Sequence, residues 1–234
     1  GSAMASENMW REVELAKNDK PVVVSYGDVA ASGGYYMACN ADSIFAQPNT
    51  ITGSIGVFAI IPNMQGFFSD KIGVTFDGVE TGPFANSPSI VEPLSETDRR
   101  FFQQDVDSIY HTFLTRVAYG RKIPIVAADS IGQGRVWTGK RAISIGLVDR
   151  IGGLGDAMRS AASLAKLKTY RIREYPEKLN IFERITGAYK NAVETKSMKE
   201  GLGTGFYSIY TEWLSIKESI GKVQAKMPFR LIIR

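Results

Sequence analysis

Ser32 stands among residues almost without side chains. Its neighbours in "YGDVAASGGYYMACNA", Tyr26 to Ala41, include Ala30, Ala31, Gly33 and Gly34, and such small residues let another backbone, or a substrate, come close. If the chain turns there from strand to helix, the unpaired N–H groups and partial positive charge of the helix start favour an anion developing on a nearby carbonyl oxygen. The Gly33 N–H is then a natural oxyanion donor. That is acyl-transfer chemistry, and the serine needs a base. His111 is the chain's one histidine and lies beside Tyr110 in a long amphipathic stretch. A partly exposed helix residue is the preferred reading there, so a Ser-His-Asp triad is disfavoured. Ala30 also departs from the G-x-S-x-G elbow of α/β-hydrolases. The remaining common solution is a Ser-Lys dyad, because a lysine desolvated in an apolar site can lose its proton near neutral pH. Taken alone, a serine in a small-residue turn is structural more often than catalytic.

The elements that must hold Ser32 follow from local pattern. Val22–Val24 reads as a buried strand, and Tyr35–Cys39 as the first turns of an apolar helix. Upstream, Ser6 can cap a helix over Glu7–Lys17, with Met9, Trp10 and Val13 on one face. Downstream come a short strand in "DSIFAQPNT", a glycine-interrupted strand in "ITGSIGVFAII", a short helix in "MQGFFSDKIG" and a strand in "VTFDGVE". Thr81–Pro93 has three prolines and no period. Ser95 then opens a long helix to about Gly120. A tight turn, a short helix capped by Thr138, a strand at Leu147–Arg150 and a helix from about Leu154 follow, with Trp137 anchoring the turn and Arg135 at most positioning. "TYRIREYP" alternates as a final strand, and residues 176–234 read as a mainly helical tail. The alternation predicts an α/β core with a parallel or mixed sheet and one appendage.

Composition narrows the classes. Hydrophobic residues make up 44% and charged residues 22% of 234, which suits a globular protein able to bury a core. The net charge is only +4, with no basic run interleaved with aromatics, which argues against nucleic-acid binding. The single cysteine, Cys39, excludes an internal disulfide and a cysteine-based metal site, and its apolar setting reads as a small buried hydrophobe. No metal or cofactor is expected. No apolar run approaches the roughly 18 residues of a membrane span. Residues 1–4, Gly-Ser-Ala-Met, look like an expression scar, which would place the native start further upstream.

Three ordered segments carry a resemblance: "GDVAASGGYYMACNAD", "PNTITGSIGVFAI" and "GRVWTGKRAISIGLVDRIGG". Over residues 5–175 the chain resembles the signal peptide peptidase A (protease IV) family of serine peptidases, which have a ClpP/crotonase-like fold. The resemblance implies that Ser32 is the nucleophile, that Gly33 supplies an oxyanion N–H, and that Ser54 orients a catalytic lysine. Ala30, Gly33, Gly34, Ile55 and Val57 would line a groove for extended hydrophobic peptides bound by strand addition. In short members the base lysine lies in the segment that reads "TGPFANSPS" here, yet no lysine occurs between Lys71 and Lys122, and Ala85 stands near the expected position. In long members, which are tandem duplications, the C-terminal half carries the serine and the N-terminal half the lysine; this chain looks like that C-terminal half. The family's glycine segment before "ASE" is also missing ahead of Ala5. Lys71 and Lys20 are the nearest alternative bases, but both sit in polar settings where a solvated lysine keeps its proton.

The expected protein is therefore the serine-bearing half of a Ser/Lys peptidase at the periplasmic side of the bacterial inner membrane, degrading cleaved signal peptides. The fragment itself is expected to be soluble, inactive alone, partnered by its own N-terminal half, and self-associating through tail residues such as Phe182, Tyr189, Tyr210 and Trp213. The alternatives are a crotonase-like acyl-CoA enzyme, which would use glutamates, and a non-catalytic assembly module.

Overall fold

The β-branched run before Ser32 favours the extended pleat and forms β1 (Val23–Ser25), which bends at Gly27 into β2 (Val29–Ala31). The second stretch, β3 (Ser43–Ala46) and β4 (Ile51–Gly53), lies parallel beside the first. In this computed structural model, which describes residues 1–82 and 85–175, the two stretches pair twice. The first pairing belongs to a parallel sheet of order β1-β3-β6, with β6 at Arg150–Ile151; the second belongs to a sheet of order β2-β4-β5, whose β5 (Val136–Thr138) is antiparallel to β4. Val23 opposes Ser43, twenty positions on, but Val29 opposes Ile51, twenty-two positions on. The two extra residues lie in the turn Gln47–Thr50. Thr50 closes that turn, donating its N–H to the Gln47 carbonyl at 3.0 Å and its hydroxyl to the Gly27 carbonyl at 2.8 Å.

Parallel neighbours need a crossover, and α2 (Gly33–Ala38) supplies it, burying Tyr35 and Tyr36. Helix α1 (Ala3–Asp19) packs on α2, and the long α3 (Glu96–Arg121) contributes Phe113, Leu114 and Val117 to the same core as Cys39, Ile44, Ile55 and Leu147. Ser95 and Asp98 start α3 with a reciprocal capping box. Glu7 links the three helices: it accepts from the Tyr36 hydroxyl at 2.6 Å and pairs with Arg116 at 2.5 Å, while Arg116 lies 4.1 Å from the Trp10 ring. At the last residue of α3, Arg121 pairs with Asp149 at 2.5 Å, and Asp149 accepts the Ile44 N–H at 2.8 Å. Helices α4 (Ile125–Ile131), α5 (Gly139–Ser144) and α6 (Leu154–Leu164) complete the unit that holds residues 1–168; residues 169–175 begin a second one.

The α/β reading holds, with several local differences. Ser2, rather than Ser6, caps α1, and Met9 is exposed while Trp10 is buried. The "ITGSIGVFAII" strand stops at Gly53, because Ser54 turns left-handed at φ 49°. "MQGFFSDKIG" is helical but ends as a π-helix over Phe67–Ile72. "VTFDGVE" alternates, yet Val74 and Phe76 stay exposed and no strand forms there. Residues 169–175 likewise form no strand, and the strand expected at Leu147–Arg150 is two residues, Arg150–Ile151. Helix α4 and strand β5 are additions to the sequence reading. The tail faces expected to drive association lie outside the described residues.

Candidate active site

Ser32 is the residue between β2 and α2, and its backbone is unusual. At φ 54° and ψ −118° it occupies a region that non-glycine residues seldom adopt, a strain held only by over-determined surroundings. Its N–H donates to the Gly53 carbonyl at 2.8 Å, and its own carbonyl accepts the Tyr36 N–H at 2.8 Å. The Oγ is buried and has no hydrogen-bond partner among the described residues. Buried hydroxyls are normally paired, so an orphaned one at a strained position points to function. Gly33 follows as the first residue of α2, where a backbone N–H has no intrahelical acceptor. Helix α1 presses on this point: a Cβ at Gly33 would lie 2.6 Å from Ser6 Oγ.

Ser54 arrives beside Ser32 through register. Ala31 opposes Gly53 in the parallel β2–β4 pair, so Ser32 and Ser54 leave adjacent strands side by side. Ser54 is 1% exposed. A second segment holds it: its N–H donates to the Arg135 carbonyl at 2.7 Å, and the Gly134 N–H donates to the Ile55 carbonyl at 2.8 Å. Gln133 and Gly134 are both left-handed, at φ 54° and 72°. Gly56 permits the close approach, since a Cβ there would meet the Gly134 Cα at 2.8 Å. The turn is tied down by Trp137, whose Nε1 donates to the Ile131 carbonyl at 2.9 Å, and by Arg135, whose guanidinium donates to the Ser130 carbonyl and to Gln133. Thr138 caps α5, accepting the Arg141 N–H. The tight turn was visible in the sequence; its grip on Ser54 was not, because that needs the β4–β5 pairing.

A cavity of about 370 Å³ opens beside Ser54, between the Gly56–Phe58 segment, the Gln133–Gly134 turn and the α3 residues Gln103, Val106, Asp107 and Tyr110. Val57 lines it, whereas Ile55 is fully buried in the core. Ala30 is half-buried against the core, and Gly34 has open space on its Cβ side. Among the described residues no lysine lines the cavity. Lys71 is exposed on the π-helix, Lys20 is the exposed C-cap of α1, and Ala85 is exposed. His111 is exposed on α3 and absent from the cavity wall. Burial pushes the Cys39 thiol up to about 12, so it is no thiolate near neutrality. Among the described residues no cluster could hold a metal ion, and no helix is long and apolar enough to cross a membrane. The arrangement thus offers a recessed hydroxyl, an adjacent helix-start N–H and a second serine abreast, which suits nucleophilic attack once a base is present.

The family described as Peptidase family S49 matches residues 14–168. "Protease 4" of Salmonella typhi is 40% identical over 194 residues, covering 82% of this chain and 31% of that protein. "Protease 4" of Haemophilus influenzae is 44% identical over 165 residues, covering 70% of this chain and 26% of that protein. The chain therefore spans less than a third of the length of these relatives. Among solved structures, a mutant of the 1510-N membrane-bound stomatin-specific protease is similar at 16% identity and a TM-score of 0.42, over 68% of this chain and 63% of that one.

Proposed function

The chain belongs to peptidase family S49, and from that premise we propose that Ser32 is the nucleophile of a serine endopeptidase of Ser/Lys type. The observation that carries the reading is the buried, unpartnered Ser32 Oγ on a left-handed backbone. In the proposed step the hydroxyl attacks the scissile carbonyl while a neutral lysine takes its proton, and the Gly33 N–H donates to the oxyanion. The same lysine then returns the proton to the leaving amine, and water hydrolyses the acyl-enzyme. Ser54 holds the lysine by a hydrogen bond. The lysine itself is supplied by an N-terminal half of the same protein, in keeping with a cavity that no described lysine lines. Substrates are hydrophobic peptides, cleaved signal peptides among them, with one side chain seated against Val57, Phe58 and Val106. The parent protein acts at the periplasmic side of the bacterial inner membrane.

A serine-directed fluorophosphonate probe, applied to the full-length protein, tests the assignment. Wild-type protein should be labelled at Ser32 and should cleave peptides; Ser32→Ala should lose both, and Ser54→Ala should lose about a hundredfold in turnover by freeing the lysine. Peptide cleavage that survives Ser32→Ala would refute the reading.

A further inference from the structure

The one side chain of α3 that reaches the turn gripping Ser54 is Tyr110, among the bonds described for that turn. Its hydroxyl donates to Asp129 Oδ1 at 2.7 Å and accepts the Gln133 N–H at 3.0 Å. The other side-chain ties of the turn, from Arg135 and Trp137, go to Ser130, Ile131 and Gln133, within the same stretch of chain. They shape the turn but do not fix it to the long helix. Gln133 and Gly134 are both left-handed, and beyond the bond from the Gly134 N–H to the Ile55 carbonyl no regular ladder holds the apex. From that apex the grip runs two residues on to the Arg135 carbonyl and so to the Ser54 N–H.

We propose that Tyr110, with Asp129 behind it, is a positioning residue for the serine site: its hydroxyl fixes the Gln133 turn, and the turn fixes Ser54. The inference rests on the reading of Ser32 and Ser54 given above. Asp129 turns the phenol proton toward itself, which leaves the phenol oxygen's lone pair facing the Gln133 N–H. Burial, and then the Asp129 hydrogen bond, push the Tyr110 phenol up to about 12, so it stays protonated through the neutral range. The Tyr110 ring also walls the cavity beside Ser54, so a shift of the turn moves Ser54 and that wall together. A serine that must hold a lysine in place is sensitive to sub-ångström drift.

Tyr110→Phe keeps the ring and removes only the hydroxyl. In this chain, amide hydrogen exchange at Ser54 and Gly134 should accelerate about tenfold, with β4 itself unchanged, as for the loss of one hydrogen bond. In the full-length protein kcat should fall about tenfold with KM within about twofold. Asp129→Asn, which still offers the phenol an acceptor, should retain most of the turnover, and Asp129→Ala should behave like Tyr110→Phe. Unchanged exchange at Ser54 and Gly134 overturns the proposal whatever the kinetics, as does faster exchange with unchanged kcat. A rise in KM alone would also overturn it, making Tyr110 a substrate wall. If Ser32→Ala retains turnover, the serine assignment itself fails, a result the exchange measurement keeps separate.

Discussion

A methyl group at position 33 would meet Ser6 Oγ at 2.6 Å but Ser6 Cβ only at 3.8 Å. The clash is thus with one atom. Gly33→Ala should destabilise the protein by about 1–3 kcal/mol, the usual range for overpacking, and Ser6→Ala should restore most of that loss. Thermal melts of the two single variants and the double variant check the coupling; additive losses would show that the added methyl group disturbs something other than Ser6. Ser32 itself was legible in the sequence, because a strand, a cluster of small residues and an apolar helix admit few conformations. The unusual backbone of Ser54 was not: "TGSIG" reads equally well as an ordinary strand edge, and only the grip from the Arg135 carbonyl gives the left-handed turn its cause.

Helix α1 is tied to α2 and α3 through a charge. Burial alone would raise the Glu7 carboxyl, but hydrogen bonds from Arg116 and Tyr36 outweigh it and hold the group below the ordinary glutamate value. Its contribution to stability is therefore full above the ordinary carboxyl range and lost as pH falls through the lower folded value. Because the pair is about one-third exposed, Glu7→Gln should cost only about 1 kcal/mol at neutral pH. The gap in melting temperature between wild type and Glu7→Gln should narrow as pH falls below the ordinary glutamate value and close once it is below the lowered folded value. A gap that stays constant as pH is lowered would assign Glu7 a packing role. The element boundaries show what pattern alone misses. Helix α3 was readable from its Ser95 start and its long apolar stripe. Strand β5 was not, since three residues between turns carry no period, and "VTFDGVE" had a period but pairs with no strand among the described residues.

For the whole molecule, the proposed Ser/Lys mechanism makes activity depend on where the lysine comes from. A Ser32 hydroxyl with no neutral amine beside it is a poor nucleophile near neutrality. The isolated 234-residue chain should therefore turn over no peptide, while the full-length protein does so through Ser32. Robust Ser32-dependent cleavage by the isolated chain would move the base to Lys71, Lys20 or a neighbouring subunit.

The short turn at Gln47–Thr50 sets the spacing between the two serines. Its two extra residues change the partner offset from twenty to twenty-two, and that offset is what brings Ser54 abreast of Ser32. A strand shifted by one residue turns every side chain to the opposite face. Surface loops ordinarily absorb insertions with little loss, and this one looks like such a loop, with Gln47, Pro48 and Asn49 all exposed. It acts instead as a ruler. A single codon gained or lost at 47–50 would remove Ser54 from its place while leaving every residue of the site unmutated.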